Sequence, residues 1–107
     1  MIKIKTIIHY GGVCPFQLDA LTNDDRMIYG RYRHGWIEVR IGAKDDASED
    51  AAVSGESIFR EKIGENFDGY IDIEQFKLET EDLIDWSEAF DQHALEREAL
   101  LNKLRSK

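Results

Sequence analysis

The segment RMIYGRYRHGWIEVRIG, residues 26–42, makes chemical sense in one hairpin register. His34-Gly35 is a two-residue loop between alternating segments, so paired residue numbers add to 69. Tyr32 then faces Ile37, Gly30 faces Val39 and Ile28 faces Ile41, which gathers the apolar residues on one side. The other side receives Arg33 beside Trp36, Arg31 beside Glu38 and Tyr29 beside Arg40: two cation–π contacts and one ion pair. A slip of one residue would move every one of these side chains to the wrong face.

The same logic extends backwards along the chain. Thr22-Asn23-Asp24-Asp25 is a turn by its side chains, which bond their own backbone, and a three-residue loop at 23–25 pairs Ala20 with Ile28 and Leu18 with Gly30. Phe16, Leu18 and Ala20 thereby join the apolar face. In the opening segment Ile2, Ile4 and Ile8 share one parity, with Lys3 and Lys5 on the other. Gly11-Gly12 reads as a bend, since it lacks the lysine and following Ser/Thr of a phosphate loop. The N-terminal half is therefore expected to be a four-stranded antiparallel meander.

Residues 43–57, AKDDASEDAAVSGES, have little to bury and read as an exposed, mobile acidic loop. Residues 58–73 suit a short helix, an irregular edge strand, or both, on the spacing of Ile58, Phe59, Ile63, Phe67 and Ile71. Thr80 followed by Glu81 and Asp82 reads as a helix N-cap with acids in the first turn. Leu83, Trp86, Phe90 and Ala94 recur at helical spacing, and Lys103, Arg105 and Lys107 finish the chain. These features predict one long C-terminal helix, with a kink near Asp91 allowed, packed on the sheet through that stripe. The expected fold class is α+β in a single domain spanning residues 1–107, with no internal repeat.

With 107 residues and 42% apolar content the chain is sized for one core. The opening MIKIKTII is too short an apolar run for a signal peptide, and no run approaches a membrane span, so a cytoplasmic protein with no membrane contact is expected. Cys14 is the only cysteine, which rules out an intrachain disulfide.

The net charge of −8 is unevenly spread. Residues 1–44 hold seven basic and four acidic side chains, residues 45–91 hold three and sixteen, and residues 92–107 hold four and two. The middle stretch, at −13, repels nucleic acid and attracts basic protein surfaces, so direct nucleic-acid binding is not expected. Its acids cluster as Asp45, Asp46, Glu49 and Asp50 in the loop and as Glu79, Glu81, Asp82, Asp85 and Glu88 around the expected helix start. On a helix, Glu81, Asp85 and Glu88 share a face with Asp82 beside them, a ridge able to present carboxylates where a target expects phosphates. A solvated face is the blander account of the same residues. The second candidate surface is Tyr29, Arg31, Arg33, Trp36 and Arg40, residue types enriched at interface hot spots. Its blander account is cover by the long helix or mutual pairing in solvent.

The chemical motifs fail at identifiable positions. Residues 64–75 resemble a calcium loop in Asn66, Asp68, Gly69, Ile71 and Asp72, yet its ends would be Gly64 and Gln75, where an acid and a bidentate Glu are needed. His9, Cys14 and His34 share no spacing that sets two ligands or a nucleophile and base on one element. The expectation is a protein without metal, cofactor or catalytic residues.

The stretches CPFQLDALTNDDRMIYGRYRHGWIEVRIG and GENFDGYIDIEQF, within about residues 11–42 and 64–76, resemble segments of small uncharacterised proteins of phages and prophages. The resemblance implies a mobile-element origin and carries no activity. By size and charge, the nearest functional class is the anti-CRISPR-like inhibitor, an analogy of class. The expected function is therefore a non-catalytic acidic protein that inhibits a bacterial nucleic-acid-handling defence complex by protein contact in the host cytoplasm. One rival is a structural or regulatory subunit that forms a homodimer through Leu95, Leu100, Leu101 and Leu104. The other is a small enzyme using His9, Cys14 or His34.

Overall fold

The computed structural model describes residues 1–13, 15–44, 52–65 and 69–105. The meander is present as β1 (Ile2–Gly11), β2 (Phe16–Thr22), β3 (Met27–Arg33) and β4 (Trp36–Ile41), antiparallel throughout. Its turns follow from local chemistry. His34 and Gly35 both take positive φ, at 56° and 80°, which is the two-residue turn that matches strand twist. At the β2–β3 turn Asp25 is left-handed at φ 62°, the Asp25 N–H donates to the Thr22 carbonyl at 3.0 Å, and the Arg26 N–H donates to Thr22 Oγ1 at 2.9 Å. The cross-strand pairs in β2–β4 are those the alternation predicts, including Tyr32 with Ile37 and Leu18 with Gly30.

The sheet is larger than a four-stranded meander. It curls into a half-barrel in the order β5-β4-β3-β2-β1-β6, with a further short strand also on β1. β5 (Glu56–Lys62) pairs antiparallel with β4, so the expected loop over 43–57 ends earlier: Ala52 is buried, Arg40 Nη1 donates to the Val53 carbonyl at 2.7 Å, and Glu56 and Ser57 already belong to a strand. The physical reason is the open edge of β4, whose backbone groups β5 satisfies. Asp45, Asp46, Glu49 and Asp50 lie outside the described residues.

β1 departs from simple alternation. One extra residue on β1 between Ile4 and Thr6, and another between Ile7 and His9, shift the register against β2. Each bulge reverses the parity, so Ile4 and Ile7 are buried while Ile8 is only half-buried.

The single long C-terminal helix is corrected most heavily. Residues 73–79 form a short helix, α1 (Ile73–Glu79), capped by Asp72, whose side chain accepts from the Gln75 N–H at 2.8 Å. Thr80 ends this helix rather than starting the next. Its hydroxyl donates to the Phe76 carbonyl at 2.9 Å and accepts from the Trp86 indole Nε1 at 3.0 Å. The chain then lies parallel to the free edge of β1 as β6 (Ile84–Asp85, pairing Ile2 and Lys3) and β7 (Phe90–Asp91, pairing Thr6 and Ile7). Edge pairing overrides the helical spacing of Leu83, Trp86 and Phe90. α2 (Gln92–Arg105) begins only after Asp91, whose Oδ1 accepts from the Ala94 N–H at 2.8 Å, and it buries none of its residues.

α1 covers the apolar face of the sheet through Phe76. Its fully buried ring tilts against Phe16 at 5.7 Å and meets Trp86 edge-on at 6.2 Å, centroid to centroid. Burial of such a ring contributes about 1.5–3 kcal/mol. Because α1 packs on the apolar face, the opposite face of β3–β5 is not covered by α1; Val53, in the helical stretch 52–53, reaches it through the bond from Arg40. No helix among the described residues is long and apolar enough to cross a membrane.

Candidate functional site

The face of β3–β5 opposite α1 is organised by register. One row across the strands runs Gln17, Arg31, Glu38, Arg60; the next runs Asp19, Tyr29, Arg40, Ser57; a third runs Arg33, Trp36, Lys62. Arg31, Arg33, Trp36, Glu38, Arg40 and Arg60 line a concavity of about 370 Å³. Four guanidinium groups thus surround one carboxylate, which makes this a cationic surface on a protein whose net charge is −8.

All five residues predicted for this surface lie on it, yet their side-chain partners differ from expectation. Glu38, only 16% exposed, turns from Arg31 to Arg40, with Arg40 Nε 3.0 Å from Oε1. Ser57 Oγ donates to its other oxygen at 3.2 Å, and Arg60 Nε stands 3.9 Å from that oxygen. Arg60 also supplies the cation–π contact assigned to Arg33, its guanidinium carbon 4.4 Å from the Trp36 ring centroid. Tyr29 receives Gln17 Nε2 on its hydroxyl at 2.8 Å rather than Arg40 on its ring. β5 supplies the Arg60 and Ser57 contacts, since it places Arg60 opposite Glu38 and Ser57 opposite Arg40. Alternation fails to announce β5 because a register shift between Val39 and Arg40 sets Ile58 and Phe59 side by side in sequence.

Among the described residues, Arg31 and Arg33 have no ion-pair partner. Trp36 keeps 36% of its surface exposed. A flat ring stacked by one arginine and flanked by two others with unspent donors suits a ligand that combines an apolar or planar part with carboxylates.

The acidic ridge is not a helical face. Glu81 and Asp82 follow Thr80 in a turn, Asp85 is in β6, and Glu88 is in the turn before β7. Glu81 and Asp85 nevertheless rim a second concavity, about 350 Å³, with Glu74, Lys77, Met1 and Trp86. Asp85 accepts from both the Ser87 hydroxyl, at 2.6 Å, and the Ser87 N–H, at 3.0 Å; these bonds hold its carboxyl below the ordinary range.

A third cluster joins β1 to the start of α2. The His93 ring meets His9 edge-on at 4.9 Å and Tyr10 at 4.4 Å, while the Tyr10 hydroxyl donates to Asp91 Oδ2 at 3.2 Å. Burial, then the charge of Asp91 and this bond, push the Tyr10 hydroxyl above its ordinary value. His9 therefore converges with His93, a residue the sequence did not single out. Among the described residues no three His, Cys, Asp or Glu side chains are grouped to hold a metal. Cys14 and residues 66–68 of the calcium-like stretch lie outside the described residues. Compared with protein-family models, curated proteins and solved structures, the chain finds no match in any of the three.

Proposed function

We propose that this chain is a non-catalytic binding protein whose contact surface is the face of β3–β5 opposite α1. The observation that carries the reading is Trp36, half-stacked by Arg60 and flanked by Arg31 and Arg33, on paired strands that need no rearrangement to present them. Aromatic and arginine side chains on a rigid frame lose little entropy on association and dominate interface energies. The partner is a protein surface bearing carboxylates around an apolar or aromatic anchor. Partner capture by the wild-type chain and by an Arg31→Glu/Arg33→Glu/Trp36→Ala variant tests this reading; equal capture by both ends it.

A second reading rests on the charge of residues 45–91 and on the exposure of Glu81, Asp82 and Glu88. There the acidic surface stands in for nucleic-acid phosphates towards a bacterial defence complex, as a mobile-element inhibitor would. The Glu81→Lys/Asp85→Lys/Glu88→Lys variant separates the two, since it abolishes binding under the second reading and spares it under the first.

A further inference from the structure

We infer that the cationic concavity of β3–β5 is a subsite for a phosphorylated aromatic side chain of the partner, a phosphotyrosine. The inference rests on the binding-face reading above and gives the partner's aromatic anchor a charge of its own. Arg31, Arg33, Arg40 and Arg60 set four guanidinium groups against the one carboxylate of Glu38, which leaves three positive charges around about 370 Å³. Glu38 is spent on Arg40 and Arg60. Arg31 and Arg33 have no ion-pair partner among the described residues, so their forks are open to a ligand.

The register favours phosphate over carboxylate. Arg31 and Arg33 stand two residues apart on β3, on one face and about 6.6 Å apart along the strand, so both forks can converge on one anion. A carboxylate offers two oxygens and one charge, enough for one side-on fork, whereas a phosphate monoester offers three terminal oxygens and nearly two charges. Trp36 pairs with Arg33 across the strands, where facing Cβ atoms lie about 4.5–5.5 Å apart. Ring and anion therefore belong to one side chain of the ligand. Arg60 stacks on the indole at 4.4 Å from its centroid, and 36% of Trp36 stays exposed to take an aryl ring, which an aliphatic phosphate would leave without a partner. A nucleic-acid strand fits less well. It would bring one charge per nucleotide past a chain of net charge −8, and the backbone groups of β3 and β4 that could read a base edge are spent in their ladders.

Isothermal titration calorimetry of the full chain tests the inference, using end-blocked alanine pentapeptides whose central residue is phosphotyrosine, phosphoserine, tyrosine or glutamate. The phosphotyrosine peptide should bind at least about tenfold tighter than each of the other three. Trp36→Leu removes its advantage over the phosphoserine peptide, and Arg31→Gln/Arg33→Gln removes its advantage over the tyrosine peptide, with circular dichroism unchanged in both. Arg31→Lys/Arg33→Lys, which keeps the charge and loses the forks, also weakens the phosphotyrosine peptide. A glutamate peptide that binds as tightly as the phosphotyrosine peptide overturns the inference, as does adenosine monophosphate binding as tightly. Partner capture that depends on Arg31, Arg33 and Trp36 yet survives phosphatase treatment of the partner overturns it too, while leaving the binding face itself in place.

Discussion

The ring of Phe76 occupies the space where a side chain on Gly30 would stand. A Cβ at Gly30 would collide with Phe76 Cζ and come within 3.1 and 3.2 Å of the two ε carbons. Gly30 sits mid-strand between Leu18 and Val39, where a residue without a side chain weakens the strand, and its absence of bulk is what admits α1 to the sheet.

Gly30→Ala is therefore expected to destabilise the fold by about 1–3 kcal/mol, the usual cost of overpacking. Chemical denaturation measures it. The same substitution in a Phe76→Leu background costs less, because the shorter side chain clears the site; equal costs in both backgrounds would mean the ring is elsewhere.

Thr80 makes a comparable prediction about polar satisfaction. It is buried, and its hydroxyl links the end of α1 to the Trp86 indole. Thr80→Val keeps the shape and strands the indole N–H, at about 1–3 kcal/mol. Thr80→Ser retains most of the stability, and Trp86 fluorescence distinguishes the two variants.

The cluster at Tyr10 predicts alkaline sensitivity. The folded state holds the Tyr10 proton more tightly than the unfolded chain, whose tyrosine titrates near 10.0. The stability from this bond is complete below that pH and is lost as pH rises through the higher folded value. The ultraviolet titration of tyrosinate should lose a late-titrating component on Tyr10→Phe. A component lost at pH 10.0 or below would contradict the described bond.

Legibility followed the range of the interactions. The hairpin at His34-Gly35 was readable because a two-residue turn and alternation specify register between neighbours in sequence. β5 was readable only as one option, an irregular edge strand beside a short helix, because its pairing with β4 crosses the acidic stretch and its register shift hides the period of two. Leu83, Trp86 and Phe90 kept helical spacing while serving an edge, since Ile84 and Phe90 meet β1 through contacts about eighty residues distant in sequence, which no local pattern records. The cationic face was half legible: Tyr29, Arg31, Arg33, Trp36 and Arg40 share it as expected, whereas Arg60, which stacks on Trp36, arrives with β5, a segment the sequence left open between edge strand and helix.

In the proposed function that face carries partner binding, and the affinity for a captured partner is the direct measure of it. Binding should fall at least a hundredfold on Arg31→Glu/Arg33→Glu/Trp36→Ala, about 2.7 kcal/mol or more, with circular dichroism unchanged. It should stay within about twofold of wild type on Glu81→Lys/Asp85→Lys/Glu88→Lys. The reverse pattern, full binding without the aromatic–arginine cluster and none without the acids, would contradict it.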